Sequence, residues 1–139
     1  ANLTAFVVGQ CELNAENLDQ LKKFPKLERV GLRAAKPTAE LVSRLKQEHS
    51  GMKFLFLRDF GMQTAPDESA QAALSALPIE ELVLSHNSFG VRDRKVCRAI
   101  AAMPNLRSLT IAVESLEDMS AAELGLCPKL EFLDLHFTS

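Results

Sequence analysis

The residues whose chemistry could matter most are three histidines, three cysteines and a group of arginines set among phenylalanines. His49 falls near the end of a predicted helix, and His86 and His136 at the ends of predicted strands four and six. Strands two apart in a sheet lie ~10 Å apart at backbone level, too far for a shared metal ion. No H-E-x-x-H, G-x-S-x-G, G-x-G-x-x-G or G-x-x-x-x-G-K-[ST] occurs, so neither a zinc protease pair, a nucleophile elbow nor a phosphate cradle is expected. The histidines are therefore expected at the surface, with no catalytic role, no metal and no cofactor. Cys11, Cys97 and Cys127 are odd in number, widely spaced and without a C-x-x-C pair. They read as small buried hydrophobes in a reducing compartment rather than as a disulfide framework. The run Arg92-Asp93-Arg94-Lys95, followed by Arg98, reads as a solvated helix face, with a basic docking patch as the alternative.

The elements that must position these groups follow from an internal repeat. Leu27-x-x-Val30-x-Leu32 matches Ile79-x-x-Leu82-x-Leu84, Leu106-x-x-Leu109-x-Ile111 and Leu130-x-x-Leu133-x-Leu135. Met52-x-x-Leu55-x-Leu57 and Leu3-x-x-Phe6-x-Val8 fit more loosely, so copies start near positions 3, 27, 52, 79, 106 and 130. In each copy the last two apolar residues stand two apart and share one side of an extended chain, which predicts a short strand. Pro25, Pro78, Pro104 and Pro128, with Ser50-Gly51 once, stand just ahead of the next copy and stop the intervening helices. Those helices are predicted at about 15–24, 39–49, 67–77, 93–103 and 118–126, with Asn14, Thr38, Pro66-Asp67 and Ser88 at their starts. Strand followed by helix at this spacing forces parallel strands, and units this small must stack to bury their apolar faces.

With that pattern in hand, the chain resembles the leucine-rich repeat proteins. Ile79-Glu80-Glu81-Leu82-Val83-Leu84-Ser85-His86-Asn87-Ser88-Phe89 is the copy most similar to L-x-x-L-x-L-x-x-N-x-L, and Cys11 takes the Asn/Cys position of the first copy. Leu13, Met62, Phe89 and Leu116 fill the next apolar position, and Pro37 stands there once. Ala35, Phe60, Glu114 and Thr138 depart from the Asn position, so the family's asparagine ladder is largely absent. The resemblance, to the ribonuclease-inhibitor or cysteine-containing subclass, implies one α/β domain over 1–139. It would be a right-handed βα solenoid with about six parallel strands on a concave face and helices on the convex one. The alternative is a doubly wound α/β domain, flavodoxin- or receiver-like, with a site at the strand C-termini. It would want clustered acids after the first strand, where Val8-Gly9-Gln10-Cys11 stands instead, and after the third strand there is only Asp59. Leu77-Pro78-Ile79-Glu80-Glu81-Leu82 also resembles the opening of an F-box, but the same residues fit the repeat in register.

By alternation the residues between the motif positions face the concave side. That face displays Arg29 and Arg33, then Phe54, Phe56 and Arg58, then Val83, and at the far end Phe132, Asp134 and His136. Phe54, Phe56 and Val83 are expected to form an exposed apolar patch, and covering one exposed Phe is worth on the order of 1.5–3 kcal/mol. Aromatics beside arginines are the composition of interface hot spots. The expected function is non-enzymatic binding of a protein or peptide with an apolar anchor and acidic flanks, of adaptor, scaffold or substrate-receptor type.

Composition bounds the rest. The chain has 139 residues, 47% hydrophobic, with Lys+Arg 16 against Asp+Glu 18, so a nucleic-acid partner is not expected. No apolar run approaches the ~18–20 residues that span a bilayer, and residues 1–10 lack a signal-peptide pattern, so a cytoplasmic location without a membrane partner is expected. The outer strands lack polar caps, which leads us to expect self-association or a larger parent chain.

Overall fold

A computed structural model describes residues 2–87, 92–113, 116 and 118–137. Six strands alternate with five helices. In chain order these are β1 (Ala5–Glu12), α1 (Ala15–Leu21), β2 (Arg29–Arg33), α2 (Ala39–Glu48), β3 (Phe54–Arg58), α3 (Glu68–Ser75), β4 (Glu81–Asn87), α4 (Arg94–Ala101), β5 (Ser108–Val113), α5 (Asp118–Leu124) and β6 (Phe132–Phe137). The strands make one sheet in the order β1-β2-β3-β4-β5-β6, every neighbouring pair parallel. The expectation of an α/β chain with a six-stranded parallel sheet is met. Neighbouring helices α2 and α3, α3 and α4, and α4 and α5 pack against one another.

One backbone step recurs at every strand junction. The Thr4 carbonyl accepts the N–H groups of Glu28 and Arg29 at 2.8 and 3.1 Å. The Glu28 carbonyl accepts those of Lys53 and Phe54, Lys53 those of Glu80 and Glu81, Glu80 those of Arg107 and Ser108, and Arg107 those of Glu131 and Phe132, each at 2.8 and 3.0 Å. The step sets the register, so Phe6, Val30, Leu55, Leu82, Leu109 and Leu133 stand in one row across the sheet. The four central members are at most 1% exposed, while Leu133 on the edge is 41% exposed. Leu32, Leu57, Leu84 and Ile111 form the second buried row, and Leu27, Met52, Ile79 and Leu106 line the core ahead of the strands. Burying each such side chain contributes on the order of 1.5–3 kcal/mol.

The helices start on the caps expected from their side-chain chemistry. Asn14, Thr38 and Asp67 accept from the N–H groups of Asn17, Leu41 and Ala70. The expected start at Ser88 lies outside the described residues, and Asp93 caps α4 through the Lys95 N–H. The helices end one to three residues earlier than the sequence pattern suggests. The final residues tighten into i→i+3 turns: Phe24 donates to the carbonyl of Leu21, Leu77 to Leu74, Met103 to Ile100 and Leu126 to Glu123. Phe24, Leu77 and Met103 each precede a proline, whose ring disfavours helical geometry in the residue before it.

Three expectations are corrected. His49 is not on the surface: it is 1% exposed, and neither ring nitrogen has a hydrogen-bond partner among the described residues. Its carbonyl accepts the Met52 N–H, as the carbonyls of Phe24 and Cys127 accept those of Leu27 and Leu130. His49 therefore fills a position that elsewhere holds an apolar side chain. The Arg92–Arg98 run is more than a solvated face. Arg94 and Arg98 converge on Glu123 at 2.6 and 2.9 Å, Lys95 pairs with Glu68, and these contacts tie α4 to its two neighbours. Of the cysteines, Cys97 and Cys127 are buried but Cys11, near the sheet edge, is only half-buried. Of the departures from the asparagine ladder, Glu114 and Thr138 lie outside the described residues, as does Phe89 at the following apolar position. At the others, Ala35 and Phe60 are buried, and backbone bonds such as Ala34 N–H to Arg58 O and Asp59 N–H to Ser85 O continue past the strands.

Two pH windows follow. Burial lowers the His49 ring below its ordinary 6.5, with the Glu48 charge opposing. The unfolded ring takes up a proton first, so stability is whole above pH 6.5 and falls below it. Glu123 is held down to about 2 by its hydrogen bonds to Arg98 and then Arg94, so its contribution is present above 4.5 and lost as pH falls toward 2. In urea unfolding followed by circular dichroism across pH, His49→Phe should flatten the loss just below pH 6.5 and gain ~1 kcal/mol there by removing unsatisfied nitrogens. Glu123→Gln should leave that window unchanged and flatten the decline between 4.5 and 2.

Candidate functional site

The residues that alternate with the buried rows form the open face of the sheet. Ala5, Arg29, Phe54, Glu81, Ser108 and Phe132 make one row across it, and Val7, Gly31, Phe56, Val83, Thr110 and Asp134 the next. Arg33, Arg58 and Ser85 stand side by side beyond them, and Ala112 pairs with His136.

In the first row the Arg29 guanidinium lies 3.9 Å from the centre of the Phe54 ring and 3.8 Å from a Glu81 carboxylate oxygen. A cation over an aromatic face is held by the ring quadrupole. Phe54 is in consequence only 8% exposed, which corrects the expected apolar patch. Its aromatic surface belongs to Arg29, and Phe56 and Val83 are half-buried. Arg29, Lys53, Glu80, Glu81, Arg107 and Ser108 wall a cleft of about 300 Å³ with Phe54, and its charges are of both signs.

The second row is shaped by glycine. A Cβ on Gly31 would lie 2.7 Å from Val7 Cγ1 and 3.2 Å from Phe56 Cδ1, and one on Gly9 3.3 Å from Arg58 Cδ. Phe56 and Arg58 thus lean across β2 toward β1 over bare backbone. Removing those side chains is what lets a phenyl ring and an arginine stem lie there.

Beyond it, two arginines stand on adjacent strands, and like charges so placed repel. Asp59 offsets them. Its carboxylate accepts from Arg33 Nε at 2.7 Å and lies 3.9 Å from Arg58 Nε, while Arg33 also lies 3.6 Å from Glu12. The Asp59 hydrogen bond, with the Glu12 charge, raises the Arg33 pKa further. Asp59 reaches this place by adopting a left-handed backbone, φ 53°, which Asp tolerates better than most residues, and Gly61 follows at φ 67°. Arg58 is left the less satisfied of the two. It makes no hydrogen bond to any described residue, its Nε is buried without an acceptor, and its side chain is 35% exposed.

The sheet therefore gathers Arg29 with Phe54, and Arg33, Arg58 and Phe56 with each other. It keeps Phe132, Asp134 and His136 three strands away from β3, ~14 Å at 4.8 Å per strand. There Phe132 is 54% exposed, and His136 Nε2 lies 2.9 Å from Asp134. Glu12 and Asp59 are the site residues that sequence reasoning missed. The turn sequence Arg58-Asp59-Phe60-Gly61, with an acid beside a displayed arginine, was the available signal for Asp59. Burial pushes the Cys97 thiol up to about 11, so it supplies no thiolate nucleophile near neutral pH. Comparison with family models, curated proteins and solved structures gave no match.

The glycine bed has a measurable cost when filled. Gly31→Ala should lower stability by about 1–3 kcal/mol, because Val7 and the Phe56 ring must move. Gly51→Ala, with nothing within 4 Å of the new atom, should stay within about 0.5 kcal/mol of wild type in the same urea titration.

Proposed function

We propose that the chain is a leucine-rich repeat array of solenoid type whose open sheet face binds a protein or peptide without catalysing a reaction. Strands in chain order support this, since right-handed crossovers between consecutive parallel strands carry every helix to the same side. The sheet has no reversal of strand order, the feature on which a doubly wound site is built. The repeated carbonyl step and the two aligned apolar rows support it further.

The observation that carries the binding mode is Arg58. Its guanidinium makes no hydrogen bond to any described residue and its side chain is 35% exposed, so an incoming carboxylate can form charge-assisted hydrogen bonds with its accessible part. Phe56 and Val83 stand beside it half-buried, and Val7 is exposed. The partner segment presents an acidic side chain to Arg58 and an apolar one to Phe56, Val83 and Val7. Arg29 and Arg33 act mainly by holding Phe54, Glu81, Asp59 and Glu12 in place. A partner long enough to cross the sheet meets Phe132, Asp134 and His136 as a second contact area. An adaptor, scaffold or substrate-receptor protein of the cytoplasm is the setting we assign to this module.

Panning a random peptide library on the wild-type chain should enrich peptides with Asp or Glu close to an aliphatic or aromatic residue. Those peptides should bind Phe56→Ala/Arg58→Ala at least ~30-fold more weakly, the loss of one hot spot, while circular dichroism stays unchanged. Equal affinity for the folded double variant would remove the assignment.

A further inference from the structure

At the C-terminal ends of β1, β2 and β3 four charges meet, and they sum to zero. Arg33 and Arg58 pair across neighbouring strands, Asp59 contacts both, and Glu12 reaches Arg33 from β1. The Asp59 carboxylate is divided between the two cations. Its Oδ2 accepts from Arg33 Nε at 2.7 Å, and its Oδ1 lies 3.9 Å from Arg58 Nε. The Asp59 side chain is 12% exposed, against 37% for Arg33 and 35% for Arg58. The anion is thus the most covered of the three, and a partner that touches the guanidiniums feels its field without displacing water from it.

That field bears on which anion can bind. An anion gains from fixed charges in proportion to its own charge, whereas the loss of its hydration grows with the square of that charge. A carboxylate carries one unit, and a phosphoryl group about −1.5 to −2 at pH 7. Two unopposed arginines on adjacent strands would suit the phosphoryl group, through paired charge-assisted hydrogen bonds. With Asp59 and Glu12 beside them, most of the positive field is cancelled. What is left, the accessible part of Arg58, offsets the dehydration of one carboxylate more readily than that of a dianion.

We propose, resting on the reading of Arg58 as the anchor of the open face, that Asp59 selects the anion this site accepts: a carboxylate on the partner, and not a phosphoryl group in the same place. Asp59 acts as a positioning residue through its charge. The backbone permits a substitution that removes that charge alone. Asp59 has φ 53°, in the left-handed region that Asn also favours. An Asn Oδ1 can still accept from Arg33 Nε, so Asp59→Asn keeps the turn and the hydrogen bond.

The probes are three versions of an acidic peptide enriched on the wild-type chain, with Gln, Glu or phosphoserine at the acidic position. Isothermal titration of the whole chain at one fixed ionic strength gives their affinities. The wild type should bind the Glu version more tightly than the phosphoserine version. Asp59→Asn should leave the Gln version unchanged, tighten the Glu version ~10-fold and tighten the phosphoserine version about 30–100-fold, because removing one nearby unit charge acts in proportion to the charge of the probe. Glu12→Gln should give the same ordering with smaller gains, and it replaces Asp59→Asn if circular dichroism shows that variant unfolded. Acetate and inorganic phosphate, followed through the Arg58 Nε–H resonance, repeat the comparison without a peptide, and Asp59→Asn should strengthen the phosphate response more than the acetate response. A wild type that prefers phosphoserine, equal gains for Glu and phosphoserine, or a gain for Gln as well would overturn the proposal while Arg58-dependent binding stands. If no enriched peptide depends on Arg58, the open-face reading fails instead. The two small anions then still decide the role of Asp59, and equal responses to them would refute it.

Discussion

Every strand after the first is placed by two N–H groups converging on one carbonyl of the strand before it. That contact recurs from Thr4 to Arg107 with nearly constant lengths, and the register of the whole sheet depends on it. Because side chains alternate along a strand, a slip of one residue would exchange the buried and open faces of the slipped strand. Leu55 and Leu82 would turn outward, and Phe56 and Val83 inward. The buried rows and the carbonyl step thus enforce one another, and neither is stable in a single repeat. A lone strand–helix unit has its leucines in water; a central one has them covered on both sides. The exposure of Leu133 beside the fully covered Leu109 measures what a neighbour supplies.

The same register decides the open face. It sets Arg33 next to Arg58 and so obliges the structure to supply a compensating anion close by. Asp59 does so at the end of β3 through a left-handed turn, and that turn also carries Phe60 into the core. Fold and site are coupled here: the residue that balances the arginines on the open face directly precedes the one that fills the interior. Glycine at 9 and 31 removes the side chains that would otherwise hold Phe56 and Arg58 away from β1. The outcome is a face on which most charge is closely paired, while the Arg58 guanidinium keeps only a long 3.9 Å contact to Asp59.

The helix layer uses the same logic with different partners. Arg44 reaches Asp19 and Glu48, Lys22 reaches Glu48, Lys95 reaches Glu68, and Arg94 and Arg98 share Glu123. Most of these are exposed pairs of modest worth. The Glu123 cluster differs because the carboxylate is 5% exposed and bound by two guanidiniums. His49 shows the reverse case, a titratable group placed where only shape was required. Its counterparts in other repeats include Phe24, Met103 and Cys127, and it takes the burial of an apolar residue without gaining a hydrogen-bond partner among the described residues.

The sequence by itself determined the period, the strand positions, the parallel direction and three of the helix caps. These depend on local pattern: apolar residues two apart, proline ahead of each repeat, and Asn, Thr or Asp where orphan N–H groups begin. It also placed the right residues on the open face, because alternation is a property of any extended chain. Only the tertiary structure decided which of them are available. Whether Phe54 is exposed depends on an arginine 25 positions earlier in the chain and an adjacent strand's carboxylate. Whether Arg33 and Arg58 are equally free depends on the backbone angle of Asp59, and whether His49 is wet depends on a turn shared with distant repeats. Those outcomes are set by contacts between strands, and one-dimensional spacing carries the row a residue belongs to but not what its neighbours across the sheet do with it.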